Sequence, residues 1–274
     1  MGIFNKLFKP KEKITEIKDN DPPKYKAEWD FYFSNIDDVI GSFFVDLGLN
    51  KIAPVADKPN LIWISINMND PKENGLSSNS EYDILCALED RLLDFVKQRH
   101  NAIWVGRLTT NGKRTFYFYN GDFAFFDNTF SEAMVAFPNY EYDFDVVDDA
   151  SWNTYFGFLY PLPSQFQSIQ NRRVLENLEK NGDPLTKERQ VDHWIFFKTA
   201  ADRNGFLEKI KDEGFDIVNS DFNKEFGETP FRLRISRVDK VDYGSVDDYV
   251  LMLWRYAGEC NGEYDGWETR VEIN

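Results

Sequence analysis

A nearly unbroken apolar run, Leu61-Ile62-Trp63-Ile64-Ser65-Ile66, constrains this chain more than any other segment. Such a run suits a strand covered on both faces, since alternate side chains go to opposite faces. After it, Ile84, Leu85, Leu88, Leu92, Phe95 and Val96 recur at helical spacing up to Arg99 and His100. Ser80-Glu81-Tyr82-Asp83 in front matches the capping-box pattern, and the basic end suits the negative pole of a helix. A central strand followed by an amphipathic helix of about five turns is therefore expected.

The flanking segments extend this pair into a domain. Residues 29–33 and 42–47 read as strands on either side of an Asp-rich turn, and residues 103–109 and 114–119 flank Asn111-Gly112, the dipeptide of a tight hairpin. A second helix is expected within residues 127–137. Residues 140–147 alternate Glu141, Asp143 and Asp145 against Tyr142, Phe144 and Val146, a strand with one wet face. Same-face neighbours on a strand lie about 6.8 Å apart, too far for these three carboxylates alone to share one calcium at about 2.4 Å. The order from 61 to 147 is thus β-α-β-β-α-β, the ferredoxin-like arrangement, preceded by an extra hairpin. An aromatic run over 152–160 ends at Pro161-Leu162-Pro163.

The same order is expected again downstream. Val174, Leu175 and Leu178 share one face of a helix over 165–180, which Asn181-Gly182-Asp183-Pro184 ends. Residues 193–198 form a strand, Asp202 caps a helix burying Phe206, Leu207 and Ile210, and a strand begins at 215–218. Residues 231–238 pair after the turn at Glu228-Thr229-Pro230. Ser245-Val246-Asp247-Asp248 is a second capping box, ahead of a stripe of Val246, Tyr249, Val250, Leu253, Trp254 and Ala257. Residues 267–272 close the sheet, with Trp267, Thr269 and Val271 on one face. The fold class expected is α+β, two tandem ferredoxin-like sandwiches. The divisions are a lead-in over 1–20, a first domain over 21–164, a connector helix and turn over 165–188, and a second domain over 189–274.

With 274 residues, 42% of them hydrophobic and 25 Phe, the chain can fill two cores. Its net charge of -15 repels a phosphate backbone, and both parts are acidic: 20 basic against 29 acidic residues over 1–188, and 12 against 18 over 189–274. A partner with a basic surface fits better than nucleic acid. Cys86 and Cys260 form no disulfide framework or metal spacing and are expected reduced, in or near a core. No apolar stretch is long enough to span a membrane, so a cytoplasmic protein is expected. Ile3, Phe4, Leu7 and Phe8 stand among Lys6, Lys9, Lys11 and Lys13, which reads as a mobile lead-in, with a membrane-surface helix as the alternative.

Three motifs carry a resemblance. Asn181-Gly182-Asp183-Pro184, Asp192-His193-Trp194 and Glu263-Tyr264-Asp265-Gly266-Trp267 resemble the regulator of ribonuclease activity B family of bacteria. The resemblance covers about the last hundred residues. It implies a small ferredoxin-like domain that binds ribonuclease E and inhibits RNA turnover as a protein ligand, not as an enzyme. Upstream, Trp104-Val105-Gly106-Arg107 and residues 114–119 and 152–161 resemble a bacterial domain family of unknown function that occurs fused ahead of such regulators.

The expected docking site comprises Asp192, His193, Glu263, Tyr264, Asp265, Trp267 and Glu268, with acids and rings displayed to a protein partner. The glycines and Trp267 also suit a bulged strand whose acids face solvent. Catalysis by His193 is disfavoured because Asp192, adjacent on a strand, points to the opposite face. No phosphate loop, dinucleotide fingerprint or Gly-x-Ser-x-Gly elbow occurs, so no cofactor, metal or catalytic residue is assigned. Two rivals remain: an enzyme or small-ligand binder using an inter-domain cleft, and direct RNA binding by Trp194, Phe196, Arg232 and Arg234 on one sheet face.

Overall fold

The computed structural model describes residues 25–273, so expectations for the lead-in over 1–20 lie outside the described residues. The class is α+β, with two antiparallel sheets in two compact units whose described parts are residues 25–165 and 166–273.

The first unit runs β1 (Trp29–Ile36), β2 (Val39–Asp46), β3 (Asn60–Asn67), α1 (Tyr82–Arg99), β4 (Ile103–Thr110), β5 (Lys113–Asn120), α2 (Phe126–Met134) and β6 (Tyr142–Asp148). Its six strands lie in the order β1-β2-β4-β5-β3-β6, all neighbours antiparallel. The β4–β5 turn places Asn111 and Gly112 at φ 48° and 73°, the left-handed pair that an Asn-Gly hairpin requires. On one face Ile62, Ile64 and Ile66 of β3 pack with Leu88 and Leu92 of α1 and Phe130 of α2. Each such side chain contributes about 1.5–3 kcal/mol on burial.

The other face of the sheet is covered, over β1, β2 and β5, in a way that periodicity did not show. Residues 152–160 fold over these strands, with one wide helical turn, Tyr155–Leu159. Trp152 stacks on Tyr119 at 4.0 Å, the Tyr155 hydroxyl donates to the Asp46 carbonyl at 2.8 Å, and the Tyr32 hydroxyl donates to the Leu159 carbonyl at 3.0 Å. The aromatic run is a second core layer whose polar tips are satisfied.

The second unit takes α3 (Pro163–Lys180), β7 (Arg189–Phe197), α4 (Ala200–Ile210), β8 (Asp216–Phe222), β9 (Phe231–Asp239), α5 (Ser245–Glu259) and β10 (Gly262–Thr269). The sheet order is β10-β7-β9-β8, again antiparallel throughout. Ile195 and Phe197 of β7 and Leu233 and Ile235 of β9 pack beneath Phe206 of α4 and Leu253 of α5. Leu175 and Leu178 of α3 join Val191, Val250 and Trp267 in an adjoining cluster, so the segment expected as a connector contributes to this core.

Three helix starts differ from expectation. At α1 Ser80 bonds Asp70 instead of capping, and Glu81 turns back to accept from the amides of Asn69 and Asp70 at 2.7 and 3.0 Å. At α5 Asp242 accepts from the amides of Gly244 and Ser245, so the cap lies three residues earlier than the Ser245 box. At α4 Thr199 is the cap, its hydroxyl accepting from the Asp202 amide at 3.1 Å. At α4 and α5 an earlier side chain reached the orphan amides first, whereas α1 starts without a side-chain cap.

The last strand is β10, Gly262–Thr269, and not residues 267–272. No described helix is long and apolar enough to cross a membrane.

Candidate functional site

A bulge in β10 decides which terminal-motif residues reach solvent. The β7–β10 register slips between Tyr264 and Gly266, leaving Asp265 as the extra residue, with Gly266 at φ 128° where a glycine is favoured. Tyr264 and Trp267 are three apart and would take opposite faces in a regular strand. The slip returns both to the helix-covered side, opposite Ile195 and His193 respectively.

Trp267, expected as a docking ring, is 3% exposed, and its indole donates to the Asn171 side chain at 3.1 Å. His193, also expected at the docking surface, is fully buried. Its Nδ1 lies 2.7 Å from the Tyr264 hydroxyl, while Nε2 is buried without a hydrogen-bond partner. Phe215 and Tyr249 hold the ring edge-on. Burial, aided by the Arg237 charge, pushes the imidazole down to about 3, so it is neutral near pH 7. Burial likewise pushes the Tyr264 phenol well up. The neutral, fully buried His193 is closed to a partner or substrate, and Tyr264 beside it is half-buried.

Glu263 and Asp265 lie exposed on the β10 edge. Asp192 and Glu268 pair across β7 and β10 on the opposite sheet face. Two carboxylates set directly opposite repel each other. Arg234 offsets this, bonding Asp192 at 3.2 Å, and burial raises the Glu268 carboxyl above its ordinary range.

That opposite face carries a further set of groups. Arg234 lies over Trp194 at 5.0 Å, and Arg232 lies over Phe226 at 5.2 Å while gripping Asp221 through two bonds of 3.1 and 2.7 Å. Phe196 meets Phe226 edge-on at 5.4 Å. Trp194, Phe196, Arg232 and Arg234 are all half-buried and lie on cross-strand pairs of β7 and β9. Asp221 could not be found by motif, because β8 runs four residues beyond the segment legible at 215–218, and Phe226 lies in the short turn Lys224–Phe226 that follows it. Its Ile217 and Phe222 are exposed by more than half.

Chemically this face can stack planar groups and exchange ion pairs. Among the described residues, no group of three His, Cys, Asp or Glu side chains is arranged to hold a metal ion. Cys86 and Cys260 are free thiols, half-buried and buried.

Residues 27–160 match the family described as Family of unknown function (DUF695), and residues 168–269 match Regulator of ribonuclease activity B. The chain thus carries the first domain followed by the second, each matching close to one structural unit. No curated protein matches the chain. A solved structure, an unknown protein from Galdieria sulphuraria, aligns over 78% of this chain and 99% of its own at 10% identity. Its TM-score of 0.22 is too low to carry any inference.

Proposed function

On the premise that residues 168–269 match Regulator of ribonuclease activity B, we propose that this chain is a non-catalytic regulator that binds a protein, an RNA-processing endonuclease of the ribonuclease E kind. That match is the observation that carries the reading. The strand order β10-β7-β9-β8, with α4 and α5 packed on one face, supports a ferredoxin-like second unit. The order β6-β3-β5-β4 with α1 and α2 supports the same for the first, extended by the β1–β2 hairpin.

The docking surface is the sheet face of Trp194, Phe196, Arg232 and Arg234, bordered by the exposed acids of β10. Half-buried rings and arginines of this kind supply local binding energy, and acids at a rim steer a basic partner. Asp192, Glu263, Asp265 and Glu268 remain in the proposed site. His193, Tyr264 and Trp267 act beneath it, shaping the strand that presents it.

Direct RNA binding is the second reading, favoured by the two rings and two arginines on one face. Both guanidiniums are already answered by Asp192 and Asp221, and the chain carries a charge of -15, which disfavours a phosphate backbone. The test is a ribonuclease E cleavage assay on a short RNA with purified full-length chain added. The reading expects slower cleavage and a protein complex that forms without RNA. Unchanged cleavage with no complex contradicts it, and retention of RNA by the chain alone favours the rival.

A further inference from the structure

The domain of unknown function contains a cleft of about 620 Å³, within the range that holds small molecules. Its walls are the segment entering β3, the segment leaving β5, the C-terminal end of α1 and the N-terminal end of α2. We propose that this cleft binds a small zwitterion, an α-amino acid, with Lys58 taking the carboxylate and Asp122 the ammonium.

Lys58 carries the proposal. Its side chain is only 8% exposed yet lines the cleft. Its one ion-pair partner among the described residues, Asp57, stands 3.7 Å away, beyond hydrogen-bond reach, and is itself 74% exposed. With its stem packed in the wall and its one ion-pair partner at 3.7 Å, the ammonium has donor capacity left for an oxygen ligand. The backbone around it is fixed, because the Lys58 carbonyl accepts from the buried Trp152 indole at 2.9 Å.

The wall is bipolar. α2 begins at Phe125 with no side-chain cap among the described residues, so its first amides present partial positive charge to the cleft. Asp122 and the C-terminal carbonyls of α1 present negative charge to the same space. Arg99 adds no free cation, being bonded to Glu132 at 2.5 Å. Lys58 and Asp122 are therefore opposite charges in one cleft, with Asp57 at its exposed margin. A ligand carrying both signs fits that pattern better than a simple anion.

His100, Thr129 and Phe125 line the same cleft. Thr129 donates its hydroxyl to the Phe125 carbonyl at 3.0 Å, so its oxygen accepts from Nε2–H of His100 at 2.8 Å. That fixes the tautomer and leaves Nδ1 of His100 as an acceptor. Burial lowers the His100 pKa, keeping the ring neutral, and it stacks on Phe126 at 3.8 Å. Phe125 sits at φ 65° with its ring 72% exposed, a strained conformation for a bulky residue and one that clusters at functional sites.

The test uses the full chain and a panel of the twenty free L-amino acids, read by ligand-observed NMR. At least one is expected to bind, with its N-acetyl and methyl-ester derivatives each weakened about tenfold or more. Lys58→Met and Asp122→Asn are each expected to weaken binding by a similar factor, with unchanged circular dichroism confirming the fold. Absence of binding by all twenty overturns the proposal, as does binding that survives both blocked derivatives. The ribonuclease reading is independent of this result, since it concerns the other unit.

Discussion

The Nδ1 of His193 and the hydroxyl of Tyr264 meet at 2.7 Å beneath the helices of the second unit, joined because the β10 bulge turns Tyr264 inward. The histidine's depressed pKa makes this unit's stability depend on pH. An unfolded imidazole titrates near 6.5 and the folded one near 3, so the unfolded state binds more protons between those values. The stabilisation is complete above pH 6.5 and is lost as pH falls, by up to about 1.4 kcal/mol per pH unit. Urea unfolding between pH 6.5 and 5, where most carboxylates are still ionised, should show this slope. His193→Phe should flatten it.

Asp183 and Arg189 form the second unit's most buried ion pair, at 2.6 Å with both side chains fully buried. Burial raises the Asp183 carboxyl, but the amides of Glu272 and Leu185 and the Arg189 guanidinium outweigh this and hold it below its usual range. The carboxylate ties the end of α3 to the chain beyond β10. Removing one partner leaves the other charge buried, so Arg189→Met should cost about 3–5 kcal/mol by chemical denaturation. The pair should also make the protein acid-sensitive, its contribution present above the unfolded Asp value and lost as pH falls below it.

Two tryptophans on opposite faces of the same sheet should behave oppositely. Trp267→Ala should lose about 3–5 kcal/mol of stability, because the ring fills the core. Trp194→Ala should change stability by less than about 1 kcal/mol. It should instead lose partner binding. Melting curves beside a pull-down separate the two effects.

Phe125→Gly should stabilise the first unit. Glycine accepts φ 65° without the penalty a phenylalanine carries, and the ring is 72% exposed and so contributes little packing. A gain of about 1 kcal/mol in thermal unfolding is expected. If the residue is held there for binding, the more stable variant should bind amino acids less well.

Much of the architecture was legible because periodicity is a local signal. The stripe through Leu85, Leu88, Leu92 and Val96 became α1, and Asn111-Gly112 became a hairpin of the expected kind. The wet face of Glu141, Asp143 and Asp145 was legible for the same reason, with Asp143 and Asp145 exposed on β6. The caps of α4 and α5 were misassigned because several polar side chains compete for the same amides and only the folded chain shows which arrives. The site was legible in its residues but not in its sidedness. One extra residue at Asp265 reverses the faces of everything before it, and no spacing rule locates such a slip. Lys58 escaped notice because a lone lysine carries no motif, and its burial arises only in the folded chain.

The central claim is that the second unit docks a ribonuclease through the Trp194–Arg234 face. Isothermal titration of full-length chain into purified ribonuclease E, wild type against Trp194→Ala, tests it most directly. A saturable complex that weakens about tenfold or more in the variant, with melting unchanged, is the predicted result. No complex with the wild type, or equal affinity in both, would contradict it.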